Sequence, residues 1–370
     1  MDVEIINFNN YVLPDITVSV GTKYIMNGDN NEFFTYIEKR YNGSPTNAGV
    51  INSYVNYIIG EGLVDKSGIN IHKYISKKDI QLICMDYKLY GQYSVQIVWS
   101  QGSKLLKQDP QPILIKHINT EKLALNQNSL GEIDGYWYSF DWENKSRYKP
   151  KLYAKFDGTY KDNPIEILTV SRISSKPYFA NPDYSSGLQW AHIEEELSNG
   201  AINHIANGFT AGKIINCKGG VPATEELKRK YKAQIIEKLT GSSNKNKVII
   251  SFSDGLDSGD EIEVKNLEVA QLDTQLVYFS EEAEKKIYKA HSVTNPALFG
   301  EIDNSGLASH KDEQKEALKT LYRSNIKPMR EIILDGLEFI LKYAEPNIDI
   351  RFEDFEDLRV DDATKNNHIL

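Results

Sequence analysis

The chain is poor in the residues that small covalently braced folds need. Cys84 and Cys217 are its only cysteines in 370 residues, too few and too far apart for a disulfide framework or a zinc site, and they read as thiols of a reducing compartment. No stretch approaches the roughly 18 unbroken apolar residues of a membrane span. The start, MDVEIINFNN, has acids and asparagines where a signal peptide needs a basic end and an apolar run. Synthesis in the cytoplasm of the producing cell and a soluble product are the expectation, with no membrane partner. A basic excess is missing too. With 52 acidic against 43 basic residues, the formal net charge is -9, which excludes the positive footprint of a tight nucleic-acid binder.

Catalytic motifs are equally scarce. The segment Gly208 to Ile214 imitates a phosphate-cradling loop, but it is one residue short between its glycines, and Ile214 stands where a magnesium-binding hydroxyl belongs. Asp254, Asp257, Asp260, Glu261 and Glu263 form an acidic cluster, yet the aspartates recur every third residue rather than at the alternate positions of a calcium loop. It reads as a solvated loop. His192 lies three and four residues before Glu195 and Glu196 on a helix, a spacing that arises by accident. No G-x-S-x-G elbow occurs. No metal and no cofactor are expected, and a soluble α+β enzyme with a scattered site is the weaker alternative to a structural role.

What the chain does have is helical and strand periodicity in a definite order. Residues 1–30 alternate short apolar runs with turns and read as an extended arm without a core of its own. Helices are expected from Asn31 to Tyr41, from Pro45 to Ile59 and from Lys77 to Tyr90, the last two closed by Gly60 and Gly91. Strands follow near 93–99, 113–118, 123–125, 135–142, 152–157 and 165–170. The aromatics Tyr136, Trp137, Tyr138, Phe140 and Trp142 fit a half-buried sheet face better than base stacking. A helix from Ser186 to Asn207 repeats Leu197, Ala201 and Ile205, with Glu194, Glu195 and Glu196 on its exposed side. Then come a strand 211–217, a helix 224–239 capped by Thr224, and a strand 248–252.

From Asp273 a further helix carries Leu276, Phe279, Ala283, Ile287 and Ala290 on one stripe. Glu281 with Lys285, and Glu282 with Lys286, are spaced to pair along its outer face. Asn295 before Pro296 ends the helix near His291. The run Val293-x-x-Pro296-x-Leu298-x-Gly300 leads into a polar loop through Ser309. A long helix over 311–342 is interrupted by Pro328, where a kink is expected, and a strand over 348–352 closes the fold.

Helix, V-x-x-P-x-L-x-G, polar loop and helix together resemble the signature of HK97-like bacteriophage portal proteins. The early Ser44-Pro45 helix and the Asp86-x-x-Leu89-x-Gly91 exit before a strand are similar to that family as well, and the order of elements covers about 31–355. The resemblance implies an α+β fold: an arm 1–30, a wing of 31–185 and 310–358, stem helices 186–207 and 273–292, a small αβ clip 208–272 between them, and a tunnel loop 293–309. A polar tail, 359–370, stands where the family often has a crown. It implies a homo-oligomeric ring, typically of twelve copies, at one capsid vertex of a virion, passing double-stranded DNA without sequence specificity during packaging and ejection. Its partners would be the terminase large subunit, the major capsid and scaffolding proteins, and a head-tail adaptor. By the same resemblance Ala297, Leu298, Phe299, Gly300, Asn304, Ser305, Gly306, Ser309 and Lys311 would line the tunnel loop. Glu194, Glu195, Glu196, Glu281, Glu282, Lys285 and Lys286 would mark stem surfaces.

Overall fold

The computed structural model describes residues 17–21, 23–102, 109–160, 163–206, 213–217, 224, 226–227, 229–230, 248–252, 262–266, 272–300 and 311–355. The chain divides into two compact units, one of Met1–Leu188 with Lys286–Leu370, the other Gln189–Lys285.

In the first unit three helices form early: α1 (Glu32–Gly43), α2 (Pro45–Ile59) and α3 (Lys77–Tyr90). Local chemistry fixes their ends. Ser44 accepts from the Asn47 amide, with Pro45 following at the first helical position, and Ser76 accepts from the Asp79 amide. Gly91 ends α3 in the left-handed region at φ 75, and a Cβ there would lie 2.7 Å from the Asn181 carbonyl oxygen. Glycine is the residue that fits both demands, which gives the Asp86-x-x-Leu89-x-Gly91 exit its physical meaning.

An eight-stranded sheet underlies these helices. Its strands are β1 (Ser19–Val20), β2 (Ile25–Met26), β4 (Gln92–Trp99), β5 (Pro112–His117), β6 (Leu123–Gln127), β7 (Ile133–Tyr138), β8 (Lys151–Lys155) and β9 (Ile165–Ser171). Their spatial order is β1-β2-β6-β7-β8-β9-β4-β5, antiparallel throughout except for the parallel pair β8 and β9. Two expectations change here. Ile25 and Met26 do not belong to an arm without a core, because β2 pairs with β6 and both residues are buried; residues 1–16 and 22 lie outside the described residues. The aromatic strand stops at Tyr138. Ser139 turns out of the ladder by donating to the Asp141 and Tyr148 carbonyls, and Trp142 packs beside Met26 and Ala124. Within the strand Tyr136 is buried and Trp137 and Tyr138 are half-buried, while beyond it Trp142 is buried and Phe140 is exposed.

The C-terminal part returns to this core. Helices α6 (Lys311–Leu321) and α7 (Lys327–Ala344) are joined by a π-turn, Tyr322–Ile326. The disturbance expected at Pro328 therefore sits one turn earlier and is a widened turn, with the Lys327 amide donating five residues back to Tyr322. Proline has no N–H to continue the ordinary ladder, and its ring crowds the preceding turn. α7 buries Ile333, Leu337, Ile340 and Leu341. It approaches the sheet so closely that a Cβ on Gly336 would lie 2.2 Å from the Tyr93 hydroxyl. Strand β13 (Ile350–Glu353) pairs antiparallel with β3 (Gly62–Asp65), a strand the periodicity did not reveal. Arg330 ties this end to α2, donating from Nε to the Ile58 carbonyl and from Nη2 to that of Tyr57, and pairing with Asp354.

The second unit has the long helix α4 (Leu188–Ala206), most of α5 (Leu272–Ala290), and a three-stranded sheet ordered β11 (Val248–Phe252), β10 (Lys213–Cys217), β12 (Ile262–Asn266). β10 and β11 are parallel, which requires a crossover between them. Within that crossover Thr224 Oγ1 accepts from the Leu227 amide, the cap expected of it. Of the acidic cluster, Glu263 lies in β12 opposite Asn216, and Asp254, Asp257, Asp260 and Glu261 lie outside the described residues.

Candidate functional site: the base of the loop after α5

α5 ends in a Schellman turn. The Val293 amide donates to the Tyr288 carbonyl and the Ser292 amide to that of Lys289, with Ser292 in the left-handed region at φ 57. Glycine usually occupies that position, and a serine there costs on the order of 1 kcal/mol. The surroundings hold it in place. Asn325 Nδ2 donates to the Ser292 carbonyl at 3.3 Å and to the Tyr54 hydroxyl at 2.8 Å, and that hydroxyl donates to the His291 carbonyl at 2.6 Å.

His291 is the centre of this arrangement. Its ring is 1% exposed, stacked 4.3 Å from the Tyr184 ring at 14°. Nε2 lies 2.9 Å from Asn47 Oδ1. Because that amide oxygen only accepts, Nε2 carries the proton. Nδ1 is then a bare acceptor, and it has no partner among the described residues. Burial and the nearby Lys88 ammonium hold the imidazole pKa well below its ordinary value, so the ring is neutral.

Lys88 itself is fully buried. Its Nζ lies 2.9 Å from both carboxylate oxygens of Asp183 and 4.0 Å from the centre of the Tyr54 ring. Burial pulls the Lys88 pKa down, and Asp183 opposes that. Removal from water would cost such a charge several kcal/mol without a partner, so the carboxylate and two aromatic faces are what keep it there.

Beyond His291 the chain is clamped to α2. Asn295 Oδ1 accepts from the Ala297 amide, and Pro296–Phe299 forms a short 3-10 turn. Tyr57 donates to the Leu298 carbonyl at 2.7 Å, and the Phe299 ring lies 5.2 Å from that of Tyr54. Ala297, Leu298 and Phe299 are thus half-buried against the helices. Gly300, exposed at φ 97, is where the chain leaves the anchor. Asn304, Ser305, Gly306 and Ser309 lie outside the described residues; Lys311 opens α6, with its side chain likewise outside them.

The helix-surface residues are placed as follows. Glu281 and Lys285 pair at 3.5 Å, both well exposed; Lys286 is exposed and Glu282 partly so. Glu196 is exposed, whereas Glu194 and Glu195 are half-buried, Glu195 lying 3.6 Å from His192. The apolar stripes are not covered along their whole length. Ala283 and Ile287 are buried, but Ile202 and Ile205 near the end of α4 and Val277, Tyr278 and Phe279 near the start of α5 are exposed.

One Ser, His and Asp grouping invites comparison with a catalytic triad. His117 Nε2 meets Asp86 at 2.8 Å, but the Ser94 hydroxyl bonds to Thr169 and Thr120 and not to the imidazole. It is a buried polar brace without a nucleophile–base contact. No described helix is long and apolar enough to cross a membrane.

Sequence reasoning found the loop turn but missed Lys88, Asp183, Tyr184 and His291. A signal existed for one of them: Lys88 follows the inward-facing Cys84 by four residues, which puts it on the apolar face of α3.

No protein-family model matches the sequence, and no curated protein does. Solved structures do match. A chain in the neck of a native gene transfer agent particle, computed with C12 symmetry, aligns at a TM-score of 0.55 and 14% identity, over 86% of this chain and 83% of that one. A chain in the virion of the native particle aligns equally well. An HK97 family phage portal protein from Corynebacterium diphtheriae aligns at a TM-score of 0.50 and 11% identity, over 88% of this chain and 95% of that one. The chain therefore has the α+β fold of phage portal proteins.

Proposed function

We propose that this chain is a portal subunit, a non-enzymatic structural protein of a virion that closes into a ring at one capsid vertex and passes double-stranded DNA. The observation that carries the reading, beside the fold, is the pair of long helices whose apolar stripes continue into solvent. On α4 Ile202 and the stripe residue Ile205 are about two-thirds exposed, and on α5 the stripe residue Phe279 is 44% exposed, with Val277 and Tyr278 beside the stripe more than half. A single chain gains nothing by displaying such large apolar residues together on two long helices. Helices packed side by side with copies of themselves bury them, and a rotation that closes gives a ring rather than a filament. The C12 symmetry of the gene transfer agent neck supports twelve as the ring size.

On this reading α4 and α5 are the stem, 208–272 the clip, and 293–309 the tunnel loop, with Lys311 the nearest charge able to meet a phosphate. Residues 31–185 and 310–358 form the wing. The net charge suits a conduit, since a wall that neutralised many phosphates would grip the duplex through counterion release. Force for translocation then comes from a separate terminase docked at the clip, while capsid, scaffolding and adaptor proteins hold the ring in place.

The deciding experiment is the mass and symmetry of the purified protein, by light scattering and single-particle electron microscopy, beside the double variant Ile202→Asp, Ile205→Asp. The wild type is expected to form closed rings of about twelve copies with a hole wide enough for duplex DNA, and the variant to remain a folded monomer. A wild type that stays monomeric at high concentration and with scaffolding protein present would overturn the reading.

A further inference from the structure

A cavity of about 360 Å³ opens between the end of α3, the segment after β9 and the π-turn ahead of α7. It adjoins the loop anchor, since Lys88, Asp183 and Asn325 are part of its wall, and it has no role in the portal reading given above. Its polar side holds two cations, Lys88 and Arg172, against one carboxylate, Asp183. Both oxygens of that carboxylate face Lys88. Arg172 donates from Nη1 to the Asn181 carbonyl at 3.2 Å; its other guanidinium N–H groups, out of five in all, have no acceptor among the described residues. Met329 and Ile332 add apolar surface to its wall. At the lip Ile173 is 92% exposed, the most exposed large apolar side chain among the described residues.

We infer that this cavity receives an acidic side chain from a second copy of this chain, its carboxylate held by the Arg172 fork and its stem lying against Met329 and Ile332. The local surplus of one positive charge asks for an anion, and the planar guanidinium suits a carboxylate in two-point contact. The supply is at hand, because a chain of net charge -9 presents acidic side chains to its neighbours in any ring it forms. The apolar collar argues for protein rather than DNA: a duplex offers a convex polyanionic surface that can neither fill such a cavity nor cover Ile173. The inference rests on the ring reading for the presence of the second copy.

The test uses the full chain and two substitutions, Arg172→Glu and Ile173→Asp, with Arg172→Lys as the conservative control. The reference monomer is the stem double variant Ile202→Asp, Ile205→Asp. Light scattering over a concentration series gives the half-assembly concentration, and hydrogen exchange reports residues 171–174 and 324–332. Exchange in both segments is expected to be at least about tenfold slower in the wild-type ring than in the monomer. Arg172→Glu and Ile173→Asp should each raise the half-assembly concentration about tenfold or more, and Arg172→Lys much less. Ile173→Asp keeps the test decisive if Arg172→Glu misfolds, because that side chain is 92% exposed and contributes little burial to the fold. Rings that form at wild-type concentration in both variants, with 171–174 as unprotected as in the monomer, overturn the inference and leave the ring intact. A wild type that never assembles removes the ring reading instead. Protection of the monomer's cavity by acetate or inorganic phosphate would assign the site to a free anion. Normal rings of Arg172→Glu that lose duplex retention would assign it to DNA. Either result would overturn the second-copy assignment.

Discussion

The base of the loop after α5 and the far turns of α4 and α5 are opposite solutions to burial. At the loop base polar groups are inside and nearly all satisfied: Lys88 by Asp183, the His291 and Ser292 carbonyls by Tyr54 and Asn325, the Leu298 carbonyl by Tyr57. On the far turns apolar groups are outside and uncovered: Ile202, Ile205, Val277, Tyr278 and Phe279. A buried polar group without a partner costs more than an exposed apolar one. The first region is therefore complete within one chain, and the second becomes complete only when something covers it. Mutations should separate the two, since damage at the loop base appears as lost stability and damage on the far turns as lost assembly.

The largest stability effect belongs to Asp183→Ala. Lys88 would remain fully buried with its ammonium facing two aromatic rings and no carboxylate, and breaking a buried pair in this way costs about 3–5 kcal/mol. That is a large part of the 5–15 kcal/mol that separates a typical domain from its unfolded state. Urea unfolding followed by circular dichroism measures it. A loss comparable with that of an exposed substitution, under about 0.5 kcal/mol, would mean that Lys88 loses its charge or reaches water, and the contrast between the two regions would narrow.

A smaller effect follows from His291. In the unfolded chain its imidazole titrates near 6.5; in the fold, burial first and the Lys88 charge second hold it well below that. Between the two values the unfolded chain binds a proton that the folded chain refuses. Stability contributed by the neutral ring is thus fully present above about pH 6.5 and falls as pH drops toward the folded pKa, with a slope of up to about 1.4 kcal/mol per pH unit. His291→Phe keeps an aromatic ring beside Tyr184 but cannot titrate, so its stability should change less between pH 7.5 and pH 5 than the wild type's. Other histidines contribute equally to both proteins and cancel in the difference. Parallel pH profiles for the two proteins would contradict the buried neutral imidazole.

How much of this was legible depends on whether its cause is local. α2 and α3 begin and end at the residues that Ser44-Pro45, Gly60, Ser76 and Gly91 dictate, because caps and left-handed exits act within one turn. The Asn295, Pro296 and Gly300 turn was readable for the same reason. β3 was not, since Gly62–Asp65 becomes a strand only by pairing with β13 nearly the whole chain away. β2 is likewise a two-residue strand made by its neighbours β1 and β6, whereas β12, Ile262-Glu263-Val264-Lys265-Asn266, does alternate. Pro328 located a break in the last long helix but could not say that the ladder would widen over Tyr322–Ile326. The Lys88 and Asp183 pair joins residues 95 apart, so spacing could place Lys88 on an apolar face without naming what neutralises it.

The smallest effect tests the outer face of α5, where spacing alone foretold the contact. Glu281 and Lys285 lie four apart, with the acid nearer the N-terminus, the better order for a helical pair, and their side chains meet at 3.5 Å while more than 60% exposed. Water and salt screen such a pair and both chains lose rotamer freedom in forming it, which leaves about 0.3–0.5 kcal/mol. Lys285→Ala should therefore lower monomer stability by no more than that, with the loss shrinking further in high salt. Unlike Asp183, this residue needs no partner to remain where it is. If Lys285→Ala instead impaired ring assembly while leaving the monomer as stable as before, the charged face of α5 would join its exposed apolar residues as part of the surface that copies share.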